Sequence, residues 1–230
     1  MDILLKGVVG STAYGLATPE SDVDYMGVYV EPKETFLGLR LVQEKDLTAH
    51  NTSDELDTTY HEVGKFFRLA LKSNPSIMEL LWLPRYLYED ISDRGLALID
   101  SRHWFASADL VKGAYLGYAT QQFKLLARDG NFGSDMKKRT EKHARHLYRL
   151  LIQGFELYRT GELSVQLDAF DVAKVRDFGQ RVAAGDLDLA AREMAYYEEQ
   201  FNQKQPHVRH EPNIKAANNL LLSFRLDSWS

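Results

Sequence analysis

The sequence predicts an α+β protein, with a mixed α/β first half followed by an all-helical second half. Short apolar runs bounded by glycine and proline dominate the first hundred or so positions, which is typical of strands and short helices. After about residue 102 the strand signals fade, and the remaining segments have the apolar spacing of helices. The boundary near Ser101 gives two expected domains, 1–101 and 102–230.

Composition excludes several classes of protein. The 230 residues are 44% hydrophobic, enough for a substantial core, and they include no cysteine. Disulfide frameworks, thiolate zinc sites and cysteine nucleophiles are therefore excluded. A net charge of -5 argues against coating nucleic acid by bulk electrostatics. No run of about 18 apolar residues occurs and the N-terminus lacks the pattern of a signal peptide, so we expect a cytoplasmic protein that does not associate with membranes.

The first half alternates strand and helix signals. A polar, flexible segment is expected at 48–53. Apolar runs predict strands at 3–9, 23–30, 56–60 and 85–89. Helical spacing predicts helices at 62–71, directly after Ser76, and at 91–100.

The second half carries helical spacing throughout. A glycine follows the longest predicted helix and Asp186 precedes another, which are typical helix-ending and helix-starting residues. The predicted helices span 110–128, 135–159, 172–184, 187–203 and 214–224.

The segment GSTAYGLATPESDVD, from Gly10 to Asp24, carries the clearest chemical signal. Ser11 completes a Gly-Ser turn whose backbone N–H groups and hydroxyl stand at a helix start, a setting that favours phosphate. Asp22 and Asp24 are two residues apart, so in a strand both carboxylates would point to one face. Paired acids beside such a turn indicate metal-dependent phosphate chemistry, with two Mg²⁺ ions about 3.5–4 Å apart.

Each of these motifs alone is common, and a capped loop is the simpler interpretation of either. In this order, however, GSTAYGLATPESDVDYMGVYV resembles the signature of the DNA polymerase beta-like nucleotidyltransferase superfamily. More narrowly, it is similar to a branch of predicted nucleotidyltransferases associated with RNA ligases in some bacteria and phages. The resemblance implies a minimal nucleotidyltransferase fold with a small mixed β-sheet and flanking helices, two metal-binding acids on one strand and a third acid on a neighbouring strand.

Asp57 is the residue we match to the third acid. It lies in a strand-like segment, and the following KSNPSIMELLW also resembles the same branch. Glu55 has the same strand parity and competes for the role, as does Asp54, and all three acids also fit a solvated loop. The third acid would act on the attacking hydroxyl, as a metal ligand and as a general base.

A basic stretch, KKRTEKHARHLYR, spans residues 137–149. On a helix, Lys142, His146 and Arg149 share one stripe. We expect this stripe to face the metal acids across a cleft and to hold nucleotide phosphates, with Arg149 as a bidentate ligand. The alternative is a solvated helix face. KHARHLYRLLIQGFELYRTGEL also resembles the helical region of the RNA-ligase-associated branch.

Together these features predict a nucleotidyltransferase that moves a nucleoside monophosphate from an NTP to an acceptor hydroxyl and releases pyrophosphate. The resemblance implies an RNA end as the acceptor, two Mg²⁺ ions for which Mn²⁺ can substitute, and an RNA ligase as a partner in the same pathway. One alternative keeps the same residues but modifies a protein hydroxyl, as in small AMP-transferring antitoxins. Another is a non-catalytic module that binds a nucleotide or a partner protein.

Overall fold

The computed structural model describes residues 1–39, 41–53, 56–128 and 134–229. It divides into two compact units, one formed by Met1–Ala106 with Glu211–Ser230 and the other by Ser107–His210. The first unit contains a five-stranded mixed sheet with helices, and the second is helical. The predicted α+β class is thereby confirmed.

The sheet has five strands, which are β1 (Asp2–Val9), β2 (Asp24–Val30), β3 (Thr48–Ser53), β4 (Leu56–Glu62) and β5 (Tyr88–Ile91). Their order in the sheet is β3-β4-β2-β1-β5; β2 pairs with β4 in parallel, and the other neighbours are antiparallel. Leu4 and Leu5 of β1 and Val28 of β2 are fully buried, which explains the apolar sequences of these two inner strands.

β3 corrects the expectation of a polar, flexible segment at 48–53. This segment is an edge strand that pairs with β4 along its length. Cross-strand contacts replace apolar burial: Thr48 Oγ1 lies 3.1 Å from His61 Nδ1, and His50 Nδ1 lies 3.1 Å from Thr59 Oγ1. Because the ladder uses backbone groups, a polar segment joins a sheet edge without an alternating apolar pattern.

Short helices connect the strands of the first unit. Two of them have side-chain caps: Glu62 accepts from Lys65 N at the start of α3, and Asn74 accepts from Ile77 N at the start of α4. Asn74, followed by proline at the first helical position, moves the start of α4 ahead of the predicted Ser76. The helices are α1 (Gly10–Tyr14), α2 (Lys33–Leu37), α3 (Val63–Ala70), α4 (Pro75–Leu81) and α5 (Asp93–Asp100).

The helical unit consists of α6 (Ala108–Arg128), α7 (Ser134–Thr160), α8 (Ala169–Ala183) and α9 (Leu187–Gln203). α7 packs against the other three. Gly154 lets α7 approach α6 closely, because a Cβ there would lie 2.5 Å from the Tyr115 side chain. Tyr148 stacks on Phe178 of α8 with ring centroids 4.5 Å apart. Within the described ranges, no helix is both long and apolar enough to span a membrane.

The last helix, α10 (Ile214–Trp229), belongs to the sheet-containing unit rather than to the predicted domain 102–230. Arg225 of α10 pairs with the fully buried Glu62 at 2.7 Å. Phe224 packs edge-on against Phe67. These contacts come from residues distant in sequence, so helical periodicity by itself does not reveal which unit α10 covers.

Candidate active site

Gly10 forms the turn between β1 and α1. Its φ of +70° lies in the left-handed region, and a Cβ at this position would lie 2.4 Å from Asp24 Oδ2. Only glycine therefore satisfies both the backbone conformation and the available space. The turn brings the main chain directly against the Asp24 carboxylate.

Sheet register brings Asp24 beside Asp57. Asp24 begins β2, Asp57 lies on β4, and the two residues are partners in the parallel ladder. Paired residues of parallel neighbours point to the same face, so the two carboxylates converge on one side of the sheet. Asp24 is half-buried and Asp57 is exposed, which leaves this side open to a ligand.

A cavity of about 220 Å³ opens where these residues meet. Its walls come from the turn after β1, the starts of β2 and β4, and α4. The residues that concern the chemistry are Gly10, Tyr14, Asp24, Asp57, Ser76 and Glu79.

Other predicted site residues have different positions. Asp22 lies in the irregular segment before β2 and is exposed, and it is not among the residues lining the cavity. Ser11 lies in α1 and is half-buried; its backbone carbonyl accepts from Leu16 N at 2.9 Å. The alternative third acids, Asp54 and Glu55, lie outside the described residues.

Glu79 and Tyr14 are cavity residues that the sequence analysis did not single out. Tyr14 Oη donates to Glu79 Oε2 at 2.6 Å. Glu79 is only 2% exposed and is the sole acid in the apolar α4 sequence PSIMELL. That isolation is the signal that marks it, since a buried carboxylate is costly unless it has polar partners or a task.

The carboxylates determine which metal the site accommodates. In the described part of the chain, no group of three or more His, Asp or Glu residues is arranged to hold a metal ion. Asp24 and Asp57 are nevertheless hard oxygen donors beside a cavity. Mg²⁺ is usually held by one or two carboxylates together with substrate phosphates and water, so this pair fits magnesium.

The basic stripe of α7 contains one exposed, one half-buried and one buried residue, which are Lys142, His146 and Arg149 respectively. Arg149, expected to bind phosphates, is 1% exposed; its Nη1 donates to Gln153 Oε1 and its Nη2 to His146 Nδ1. Gln153 in turn donates to the Ser164 and Val165 carbonyls. The guanidinium is thus engaged inside the helical unit.

Two histidines are held in the neutral form. Burial, assisted by the Arg149 charge, lowers the pKa of His146 to about 3. Because His146 Nδ1 accepts from Arg149, its ring proton lies on Nε2. Burial and the Lys65 charge lower the pKa of His61, on β4, to about 4. Neither ring supplies positive charge at neutral pH.

Acids from neighbouring strands beside a glycine turn are the arrangement that the sequence resemblance implies for a nucleotidyltransferase-like protein. The sequence matches the model of the RlaP family, described as the RNA repair pathway DNA polymerase beta family, over residues 1–223. Because this match spans nearly the whole chain, the chain belongs to the RlaP family. The resemblance to the polymerase beta-like superfamily stated from the sequence is thus confirmed.

Three relatives share part of the sequence. An uncharacterized 38.9 kDa protein of Enterobacteria phage T4, from the nrdC-mobD intergenic region, is 30% identical over 53% of this chain and 38% of its own length. Bacillus subtilis YcgL is 36% identical over 35% of this chain and 30% of its own length. Methanocaldococcus jannaschii MJ0002 is 33% identical over 35% of this chain and 33% of its own length. The alignments therefore cover only about a third of each relative.

A solved structure also matches almost the whole chain. It is the nucleotidyltransferase-like protein from Exiguobacterium sibiricum 255-15, and the comparison covers 99% of this chain and 84% of that protein. The sequence identity is 12% and the TM-score is 0.34.

Proposed function

We propose that the protein is a metal-dependent nucleotidyltransferase that transfers a nucleoside monophosphate from an NTP to a hydroxyl at an RNA end. The observation that carries this proposal is the convergence of Asp24 and Asp57 on one cavity at the Gly10 turn. Membership of a polymerase beta family associated with RNA repair supports both the reaction type and the RNA acceptor.

The reaction exchanges the phosphoanhydride bond between the α- and β-phosphates for a phosphodiester bond to the acceptor. The acceptor hydroxyl oxygen attacks the α-phosphorus, the bond from that phosphorus to the oxygen bridging the β-phosphorus breaks, and pyrophosphate leaves. Asp24 and Asp57 would hold Mg²⁺, or Mn²⁺ in its place, and Asp22, in the segment preceding β2, is proposed as a further ligand. When bound, the metal would neutralise charge on the phosphate oxygens and the attacking oxygen.

The residues around the carboxylates have separate tasks. Backbone N–H groups at Gly10 and Ser11 bind phosphate oxygens of the NTP. Asp57 lies on β4, which is separated by β2 from β1, the strand that leads into the Gly10 turn. In this scheme, Asp57 accepts the proton of the attacking hydroxyl. In the separate helical unit, Lys142 is the exposed member of the α7 stripe and is kept as a proposed phosphate ligand, whereas Arg149 hydrogen-bonds to Gln153 and His146.

Single-site variants of the two acids test this assignment. We expect the wild type to transfer label from an α-³²P-labelled NTP to RNA in the presence of Mg²⁺. Asp24→Asn should lose both metal-dependent NTP binding and transfer. Asp57→Asn should lose about 100-fold or more in transfer, the range of general-base catalysis, while NTP affinity changes only a few-fold. Filter binding and gel assays of the labelled RNA separate the two effects.

Asp90→Asn is the matched control, because Asp90 is an exposed acid on β5 outside the cavity. It should retain wild-type transfer. Persistent transfer in Asp24→Asn would contradict the metal assignment. A wild type that neither binds nor transfers any NTP would contradict the proposed function. Label on protein rather than on RNA would show that the acceptor is a protein hydroxyl.

A further inference from the structure

Glu79 places a third carboxylate on the cavity wall without completing a metal cluster. Its neighbours on α4, Ile77, Met78, Leu80 and Leu81, are buried apolar residues. In the described part of the chain, no group of three or more His, Asp or Glu residues could hold a metal ion, so Glu79 does not complete such a group with Asp24 and Asp57. Its place on the cavity wall is consistent with a contact to the organic part of a ligand.

Tyr14 holds the Glu79 carboxylate in place. The hydroxyl of Tyr14 donates to Glu79 Oε2 at 2.6 Å, within the range of a short, charge-assisted hydrogen bond. A carboxylate offers about four acceptor positions and, when ionised, no donor. A carboxylate at this place on the cavity wall favours a hydroxyl or N–H group of a ligand and disfavours phosphate oxygens.

The order of the strands assigns Glu79 to the nucleotide side of the cavity. β2, with Asp24, lies between β1 and β4. α1 follows β1 directly, and α4 packs against β1, so Tyr14 and Glu79 lie on the β1 side together with the Gly10 turn. Asp57 lies on the β4 side. A nucleotide whose phosphates rest at Gly10 would have its sugar near Glu79, and the acceptor would enter beside Asp57.

We infer that Glu79, held by Tyr14, accepts a hydrogen bond from the ribose 2′-hydroxyl of the bound nucleotide and so selects ribonucleoside over deoxyribonucleoside triphosphates. The inference rests on the proposed function. The sugar is the uncharged, hydroxyl-bearing part of an NTP next to the α-phosphate, and a carboxylate on a ribose hydroxyl is a recurrent form of nucleotide recognition. Glu79 is a specificity-determining residue in this scheme and takes no part in bond making.

The ratio of kcat/KM for ATP to that for 2′-deoxyATP measures this contact within one protein. We expect the wild type to favour ATP by about 10- to 100-fold, the range for one hydrogen bond to a charged group. Glu79→Met removes the acceptors at similar volume and should bring the ratio close to one, chiefly by slowing ATP. Tyr14→Phe should lower the ratio by a smaller factor, since the carboxylate remains but is no longer held.

Glu62→Gln is the control, because it removes another buried carboxylate of the same unit outside the cavity lining and should leave the ratio unchanged. A wild type that uses both sugars equally overturns the inference but leaves the proposed function standing. The inference is also overturned if Glu79→Met leaves the ratio of kcat/KM for ATP to that for 2′-deoxyATP unchanged and instead alters the preferred base or the dependence on the acceptor's terminal sugar. If Glu79→Met does not fold, the inference is tested by the kcat/KM ratio of the wild type and by the change in that ratio in Tyr14→Phe. A wild type without NTP binding or transfer overturns both proposals.

Discussion

At the scale of single residues, the site depends on how closely the backbone approaches a carboxylate. Gly10 combines a left-handed φ with a contact that leaves no room for a side chain beside Asp24. Glu79 shows the complementary case, in which a charged side chain is kept inside an apolar helix by a tyrosine hydroxyl. Both residues break a local preference, which is a common feature of functional positions.

Gly10→Ala should impair function more than stability. The new methyl group would push the Asp24 carboxylate from its place, and an error of about 1 Å at a reacting centre costs about 100-fold in rate. The loss in free energy of unfolding should be about 1–2 kcal/mol, the cost of the left-handed backbone conformation for a residue with a Cβ. Transfer assays and urea unfolding measure the two quantities.

Gly113→Ala provides the comparison for that substitution. Gly113 is exposed on α6, and apart from its chain neighbours and the nearby backbone of its own helix nothing would lie within 4 Å of a Cβ there. We expect unchanged transfer and a slightly higher free energy of unfolding, by about 0.5–1 kcal/mol. Equal transfer by both glycine variants would contradict the role assigned to the turn.

At the scale of elements, pairing and docking bring the important side chains together. The parallel pairing of β2 with β4 places Asp57 beside Asp24. The docking of α10 covers α3, where Arg225 meets the buried Glu62 that also caps that helix. Arg225 additionally lies 4.5 Å from the centroid of the Phe36 ring. α10 therefore contributes to the stability of the sheet-containing unit.

Arg225→Met should destabilise the protein strongly. It leaves the carboxylate of Glu62, which is 0% exposed, without its ionic partner, and breaking a buried pair in this way costs about 3 kcal/mol. Guanidinium unfolding measures the change. Arg181→Met, which removes an exposed arginine 2.9 Å from Asp186, should leave the unfolding midpoint near that of the wild type. Similar midpoints for the two variants would show that the buried pair adds little.

At the scale of the whole molecule, the proposed function requires an acidic chain to bind a polyanion. The net charge is -5, and the proposed cavity is itself lined by three carboxylates, Asp24, Asp57 and Glu79. Without a cation these groups would repel both one another and the nucleotide. Metal and nucleotide should therefore bind together.

Lys142→Ala should weaken binding of Mg²⁺-NTP by about 3- to 10-fold, because it removes one exposed charge from the proposed phosphate ligands. The difference from the wild type should shrink as salt rises, since screening weakens interactions between exposed charges. Calorimetric titrations at low and high salt measure both effects. Lys124→Ala makes the same change in charge at an exposed position of α6 and should bind like the wild type. If both variants bound equally well, Lys142 would have no part in the site.

The sequence by itself determined what depends on near neighbours: the division into a mixed half and a helical half, the turn at Gly10 and the close spacing of Asp22 and Asp24. The structure alone decided which distant residues meet. Tyr14 and Glu79 join across 65 positions, and Arg225 reaches Glu62 across 163. It also decided that β3 is a strand and that Arg149 is internal. Such contacts depend on how apolar faces bury one another, and the spacing of residues within a segment does not specify which distant face that segment will cover.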